Sequence, residues 1–100
     1  MRRLTRTLTR ALLVFLEEPR SWRYGYDLMK VAGLSSGTLY PLLARLTDEE
    51  WLESRWEESE FPGKPPRQLY RLTPTGQLQA RHALERAQAS WLRPPRTSAA

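Results

Sequence analysis

Cysteine is absent from this chain. That removes disulfides, thiolate metal ligands and a cysteine nucleophile together, and it is compatible with a reducing cytoplasm. Histidine is nearly as scarce. His82 stands alone between Arg81 and Ala83 in a helical segment, with no second imidazole to begin a metal site, so an exposed surface role is expected and no cofactor or metal. Long apolar runs are missing as well. The six apolar residues Ala11 to Leu16 follow a start with four arginines in Met1 to Arg10, which imitates a signal peptide. The run is too short for a secretory core or a membrane span, Glu17 and Glu18 follow at once, and no small-residue cleavage site appears. No targeting peptide is therefore expected. The carboxylates near Glu49 and Glu57 could in principle pair for acid-base work, but a charged helix end running into a strand face explains them more simply, and no enzyme is expected.

What is present is a 100-residue chain without an internal repeat, which bounds it to one domain with a modest core. Its net charge is +5, and arginine supplies fourteen of the sixteen basic residues. A guanidinium can grip phosphate or guanine with two parallel hydrogen bonds, so a polyanion is the expected partner. The acids concentrate between Asp48 and Glu60. The amino-terminal segment, the helix after Ser35 and the Lys64/Arg67 region are left without nearby acids in sequence.

Residues 36 to 46, Ser-Gly-Thr-Leu-Tyr-Pro-Leu-Leu-Ala-Arg-Leu, carry the most information. Ser35 or Ser36 can cap a helix, and Leu39, Leu42, Leu43 and Leu46 recur on one side at three- and four-residue intervals. Thr38, Pro41 and Arg45 fall on the other side, which has nothing apolar to bury. Such a face is presented to something outside the fold.

The same periodicity predicts a first helix from about Thr5 to Glu17, with Leu8, Ala11, Leu12, Phe15 and Leu16 inward, Arg6 and Arg10 outward, and Pro19 as its stop. A short second helix is predicted over Tyr24 to Val31, closed by Gly33. The third runs from Ser36 to about Glu50, with Pro41 near its first turn or at a bend. Alternation over Trp51 to Glu58 sets Leu52, Ser54 and Trp56 against Glu53, Arg55 and Glu57, the pattern of a half-buried strand. Gln68 to Leu72 is its partner, beyond the proline-rich loop Phe61 to Pro66. Trp51 and Trp56 are expected in the core and Trp22 in a polar loop. A last helix begins at Thr73 or Thr75 with Pro74 early in it and ends near Leu92. Its residues Ala80, Leu84, Ala87 and Trp91 follow the rhythm of a coiled-coil seam. Arg93 to Ala100 reads as a disordered tail.

The fold class expected is mainly α with a small β-hairpin, a winged helix-turn-helix over residues 1–73 followed by a dimerisation helix over 74–92. Four segments narrow it further: Tyr24-Gly25-Tyr26-Asp27-Leu28, Gly37-Thr38-Leu39-Tyr40-Pro41-Leu42-Leu43, Leu52 to Glu58, and Tyr70-Arg71-Leu72-Thr73-Pro74-Thr75-Gly76. In this order they resemble the PadR family of bacterial transcriptional regulators, over about residues 5 to 92.

The resemblance implies a homodimeric cytoplasmic repressor on a palindromic double-stranded DNA operator, with the third helix in the major groove and the wing near the minor groove. It matches Thr38 and Tyr40 to DNA-facing positions, Lys64 and Arg67 to the wing, and Tyr24 to a position near the phosphate backbone. The segment Lys30 to Ser35 is shorter than in many members. Hydroxyls of Ser36, Thr38 and Tyr40 suit phosphate oxygens or base edges, and Arg45 suits guanine or phosphate. The plainer readings are that Ser36 only caps, Tyr40 packs on the second helix, and Arg45 pairs with Asp48 or Glu49. The dimer is expected to use Ala80, Leu84, Ala87 and Trp91, flanked by Leu8 and Leu12 of the first helix. Trp91 loosely resembles the aromatics that stack on flat ligands near the dimer axis in some relatives, which would make it a contact for a small-molecule effector; simple packing across the dimer is the alternative. Two other readings are a winged-helix protein-interaction module and an effector-free plasmid or architectural DNA-binding protein.

Overall fold

The computed structural model describes residues 4–92, with side chains through residue 89. The tail expected at 93–100 and the side chain of Trp91 lie outside the described residues. The elements in chain order are α1 (Arg6–Glu17), β1 (Arg23–Tyr24), α2 (Gly25–Ala32), α3 (Ser36–Asp48), β2 (Leu52–Glu57), β3 (Arg67–Leu72) and α4 (Pro74–Leu92). The strands form one antiparallel sheet in the order β1-β3-β2. This is a winged helix, mainly helical with a small hairpin, as the pattern of the chain predicts.

Helix α1 starts where Thr5 accepts a hydrogen bond from the Leu8 amide at 3.1 Å, which satisfies one of the free donors of the first turn. It buries Leu8, Ala11, Leu12, Val14 and Phe15 and leaves Leu13 exposed. Helix α2 ends at Gly33, whose φ of 67° is the left-handed conformation that only glycine adopts without steric cost. The Leu34 amide bonds the Met29 carbonyl at 3.0 Å and the Gly33 amide bonds that of Lys30 at 3.3 Å, a Schellman closure that sets the short turn into α3. Helix α3 closes the same way, through Trp51 to Leu46 at 2.9 Å and Glu50 to Thr47 at 3.0 Å. There Glu50 takes the left-handed position with φ of 64°.

One detail of α3 differs from expectation. Ser35 occupies the cap position, but its hydroxyl makes no cap bond and donates instead to Thr38 Oγ1 at 3.0 Å. Pro41 stands at the sixth helical residue, past the first turn, which leaves the bend as the expected alternative. It forfeits only the bond to the Gly37 carbonyl, and Gly37 is exposed, so water can satisfy that oxygen.

The core lies where Leu8, Leu12 and Phe15 of α1 meet Leu28 of α2, Leu39, Leu43 and Leu46 of α3, and the inner sheet face of Leu52, Tyr70 and Leu72. Thr73 ties α4 to this body. Its hydroxyl donates to the Glu50 carbonyl at 2.6 Å and accepts from the Gly76 amide at 2.8 Å, capping α4 ahead of Pro74. A Cβ on Gly76 would lie 1.9 Å from the Trp51 carbonyl oxygen, so only glycine permits this approach.

Two expectations about packing are corrected. Trp56 is 65% exposed rather than core, because burial on β2 is full at Leu52 and gone from Ser54 onward. Trp22 stands in the loop before β1, as expected, and there Arg55 and Arg71 stack on its ring at 4.5 and 4.4 Å, while Arg71 pairs with Glu53 at 2.5 Å. The loop runs straight into β1, a two-residue strand that the sequence does not reveal. Leu8 and Leu12, assigned to a dimer surface, are already buried in the chain's own core, as is Ala80.

Candidate nucleic-acid interface

The leucine side of α3 is held by the core, so its opposite side is fixed toward solvent. Ser36, Thr38, Pro41 and Arg45 are all exposed along it. Arg45 makes no ion pair with Asp48 among the described residues.

Tyr40 has two roles. It is 43% exposed, and its ring also rests on α2: a Cβ at Gly25 would lie 2.9 Å from the Tyr40 Cε1 and Oη atoms. Gly25 is thus the residue that lets α2 and α3 approach with a tyrosine between them. Beside this contact a cleft of about 410 Å³ opens between the start of α2, α3 and the wing, lined by Tyr24, Gly25, Tyr26, Asp27, Tyr40, Trp56, Pro66, Arg67 and Gln68. The structure therefore brings Tyr24, Tyr40 and Arg67 to one place, while Ser36, Thr38 and Arg45 extend along α3.

Around Tyr24 the contacts cross the sheet. Its hydroxyl donates to Glu57 Oε1 at 2.7 Å, and the Arg67 guanidinium lies 5.2 Å from its ring centroid. Its pKa is raised above 10.0, first by the hydrogen bond to Glu57, then by burial and the Glu57 charge, with Arg67 opposing. Tyr70, beneath the sheet, is raised mainly by burial and further by Tyr40. Both hydroxyls are protonated at neutral pH. Lys64 sits at the wing tip, its ammonium 5.2 Å from the Phe61 ring centroid.

Glu57, Trp56, Gly25 and Tyr26 are the residues of this surface that sequence reasoning missed. Glu57 and Arg67 are direct cross-strand partners, so their meeting depends on the hairpin register. The Lys64/Arg67 region, free of acids in local sequence, has Glu57, Glu58 and Glu60 folded against it in a second cleft of about 220 Å³.

The Transcriptional regulator PadR-like family matches residues 12–82 of this chain, which span α2, α3, the wing and the start of α4. The chain belongs to the PadR-like family. It is similar to a PadR family transcriptional regulator from Eggerthella lenta DSM 2243, at 32% identity and a TM-score of 0.71 over 86% of this chain and 78% of that one. A PadR-like transcription factor from Bacteroides fragilis is 33% identical, with a TM-score of 0.62 over 86% of this chain and 82% of that one. The fold is shared with overoxidized AbfR bound to DNA, at 24% identity and a TM-score of 0.67 over 87% of this chain and 59% of that one. No curated protein matches. The PadR-like family is one of regulators rather than enzymes. Among the described residues no helix is long and apolar enough to cross a membrane, and no group of side chains could hold a metal ion.

Proposed function

We propose that this PadR-like protein is a sequence-specific double-stranded DNA-binding regulator that represses transcription as a homodimer on a palindromic operator. The observation that carries the reading is the exposed side of α3. Thr38 and Arg45 project from a helix whose other side is locked in the core, beside a cleft that gathers Tyr24, Tyr40 and Arg67. A rigid helix with polar tips fits the major groove, where base edges present distinct donors and acceptors. Ser36, Lys64, Arg67 and Tyr24 are the groups assigned to phosphate, which positions the protein without reading sequence. The AbfR complex with DNA supports this use of the fold.

The dimer rests on α4. Ala80 packs into the chain's own core, but Leu84 and Ala87 continue the same stripe only partly covered, and a second α4 is the natural cover. The contribution of α1 moves from Leu8 and Leu12 to Leu13, which is 52% exposed. The effector contact expected at Trp91 falls on a side chain outside the described residues.

Selection from a library of random duplexes tests both parts at once. Enriched sequences with two-fold symmetric half-sites one helical turn apart are expected. Asymmetric sites overturn the dimer, and no enrichment overturns sequence-specific binding in favour of a protein-interaction module.

A further inference from the structure

Glu57 sits where a DNA-binding surface ought not to carry an acid. It is the last residue of β2, directly opposite Arg67 in the hairpin, and its carboxylate accepts the Tyr24 hydroxyl at 2.7 Å. Arg67 in turn lies over the Tyr24 ring. Tyr24 and Arg67 are two of the groups assigned above to DNA phosphate. A tyrosine hydroxyl has a single hydrogen, and a phosphodiester oxygen can only accept. While Glu57 holds that hydrogen, Tyr24 has none to donate to DNA.

Electrostatics points the same way. Glu57, Glu58 and Glu60 line a cleft together with Lys64 and Arg67. Between Arg55 and Arg67 three acids offset three bases, so the wing has no net charge in a chain whose total is +5. Nonspecific attraction to DNA grows with the number of phosphates that basic groups neutralise. The wing contributes little to it as long as its own carboxylates neutralise its bases.

We propose that Glu57 is an internal competitor for DNA phosphate: in the free protein it holds the Tyr24 hydroxyl and sets its charge across the hairpin from Arg67, lowers affinity for any duplex, and yields its place when DNA binds. The role rests on the DNA-binding reading above and deepens it by naming what regulates that site. The exchange swaps one oxyanion for another on the Tyr24 hydroxyl, so that donor is ordered before DNA arrives and is not left exposed as a general polyanion trap.

The test uses the full chain, a labelled duplex of random sequence and fluorescence anisotropy at several salt concentrations. Glu57→Gln keeps the size and an accepting oxygen but removes the charge. It is expected to bind about three- to tenfold more tightly at low salt, with the slope of log affinity against log salt steeper by about 0.9. Glu57→Ala frees the Tyr24 hydroxyl. Tyr24→Phe should then cost about fivefold in the Glu57→Ala background and little in the parent, the size of one ordinary hydrogen bond. If Glu57 is only a brace for the wing, Glu57→Gln binds as the parent does or more weakly, and Tyr24→Phe costs the same in both backgrounds; either result overturns the proposal. Glu57 is exposed, so thermal unfolding of each variant should match the parent. A parent that binds no duplex at any salt concentration overturns the DNA reading itself, and the proposal with it. A parent that binds while Glu57→Gln is unchanged removes only the role of Glu57.

Discussion

Helix α3 and the wing lie side by side on the surface proposed to meet DNA, yet they are held in place by different forces. Leu39, Leu43 and Leu46 are fully buried under α3, so that helix is clamped by apolar packing along its length. The wing loses its cover from Ser54 onward, and from Phe61 to Arg67 every residue is exposed. Contacts between cations and rings stand in for a core there: Lys64 with Phe61, and Arg67 with Tyr24. Each such contact at an exposed site is worth about 0.5–1 kcal/mol, against about 2–5 kcal/mol for a buried leucine replaced by alanine. A surface that must present side chains at fixed angles is built on packing, whereas a surface that only supplies charge can stand on weak contacts and be retuned by single substitutions.

The largest test of that contrast is Leu43→Ala. Removing a fully buried side chain from under α3 should cost about 2–5 kcal/mol of stability, read as a lower urea midpoint, because the cavity left behind cannot fully collapse. A change under about 0.5 kcal/mol would mean that α3 is not anchored by its leucines.

Thr38→Ala should leave stability unaltered and reduce operator affinity by about 1–3 kcal/mol, while random duplexes bind as before. Thr38 accepts the Ser35 hydroxyl, but both groups are exposed, so little folding energy depends on the pair. Equal weakening toward operator and random DNA would move Thr38 from base reading to phosphate contact.

The smallest effect belongs to the wing. Lys64→Ala should weaken operator and random DNA by similar factors and make the slope of log affinity against log salt shallower by about 0.9. Parallel slopes for parent and variant would take Lys64 out of the interface and leave it a solvated hairpin end beside Phe61.

Much of this protein was legible in the chain because helices announce themselves through local spacing. The leucines of α1 and α3, the glycine closing α2 and the threonine and proline opening α4 each act within one or two turns, and each stands where the sequence places it. What failed was everything that depends on cover. Period two puts Trp56 on the same side as Leu52, but no period says that the helical layer ends between them. Spacing alone lets Leu8 and Leu12 serve a dimer surface, yet they face the chain's own α2 and α3, because an apolar stripe does not name its partner. β1 has two residues and no pattern, and it exists only because β3 offers a free edge. Gly25 looks like any helix-start glycine until Tyr40 is laid against it.

The sequence by itself determined which segments become helices and strands, where they stop, and that one side of α3 must stay outside, since these follow from steric preference and apolar spacing over a few residues. Tertiary structure alone decided that Glu57 meets Tyr24, thirty-three positions away by chain, and stands directly across the hairpin from Arg67. That encounter is set by strand register and by the stacking of β1 on β3, long-range pairings whose energy is collected only after the chain has closed.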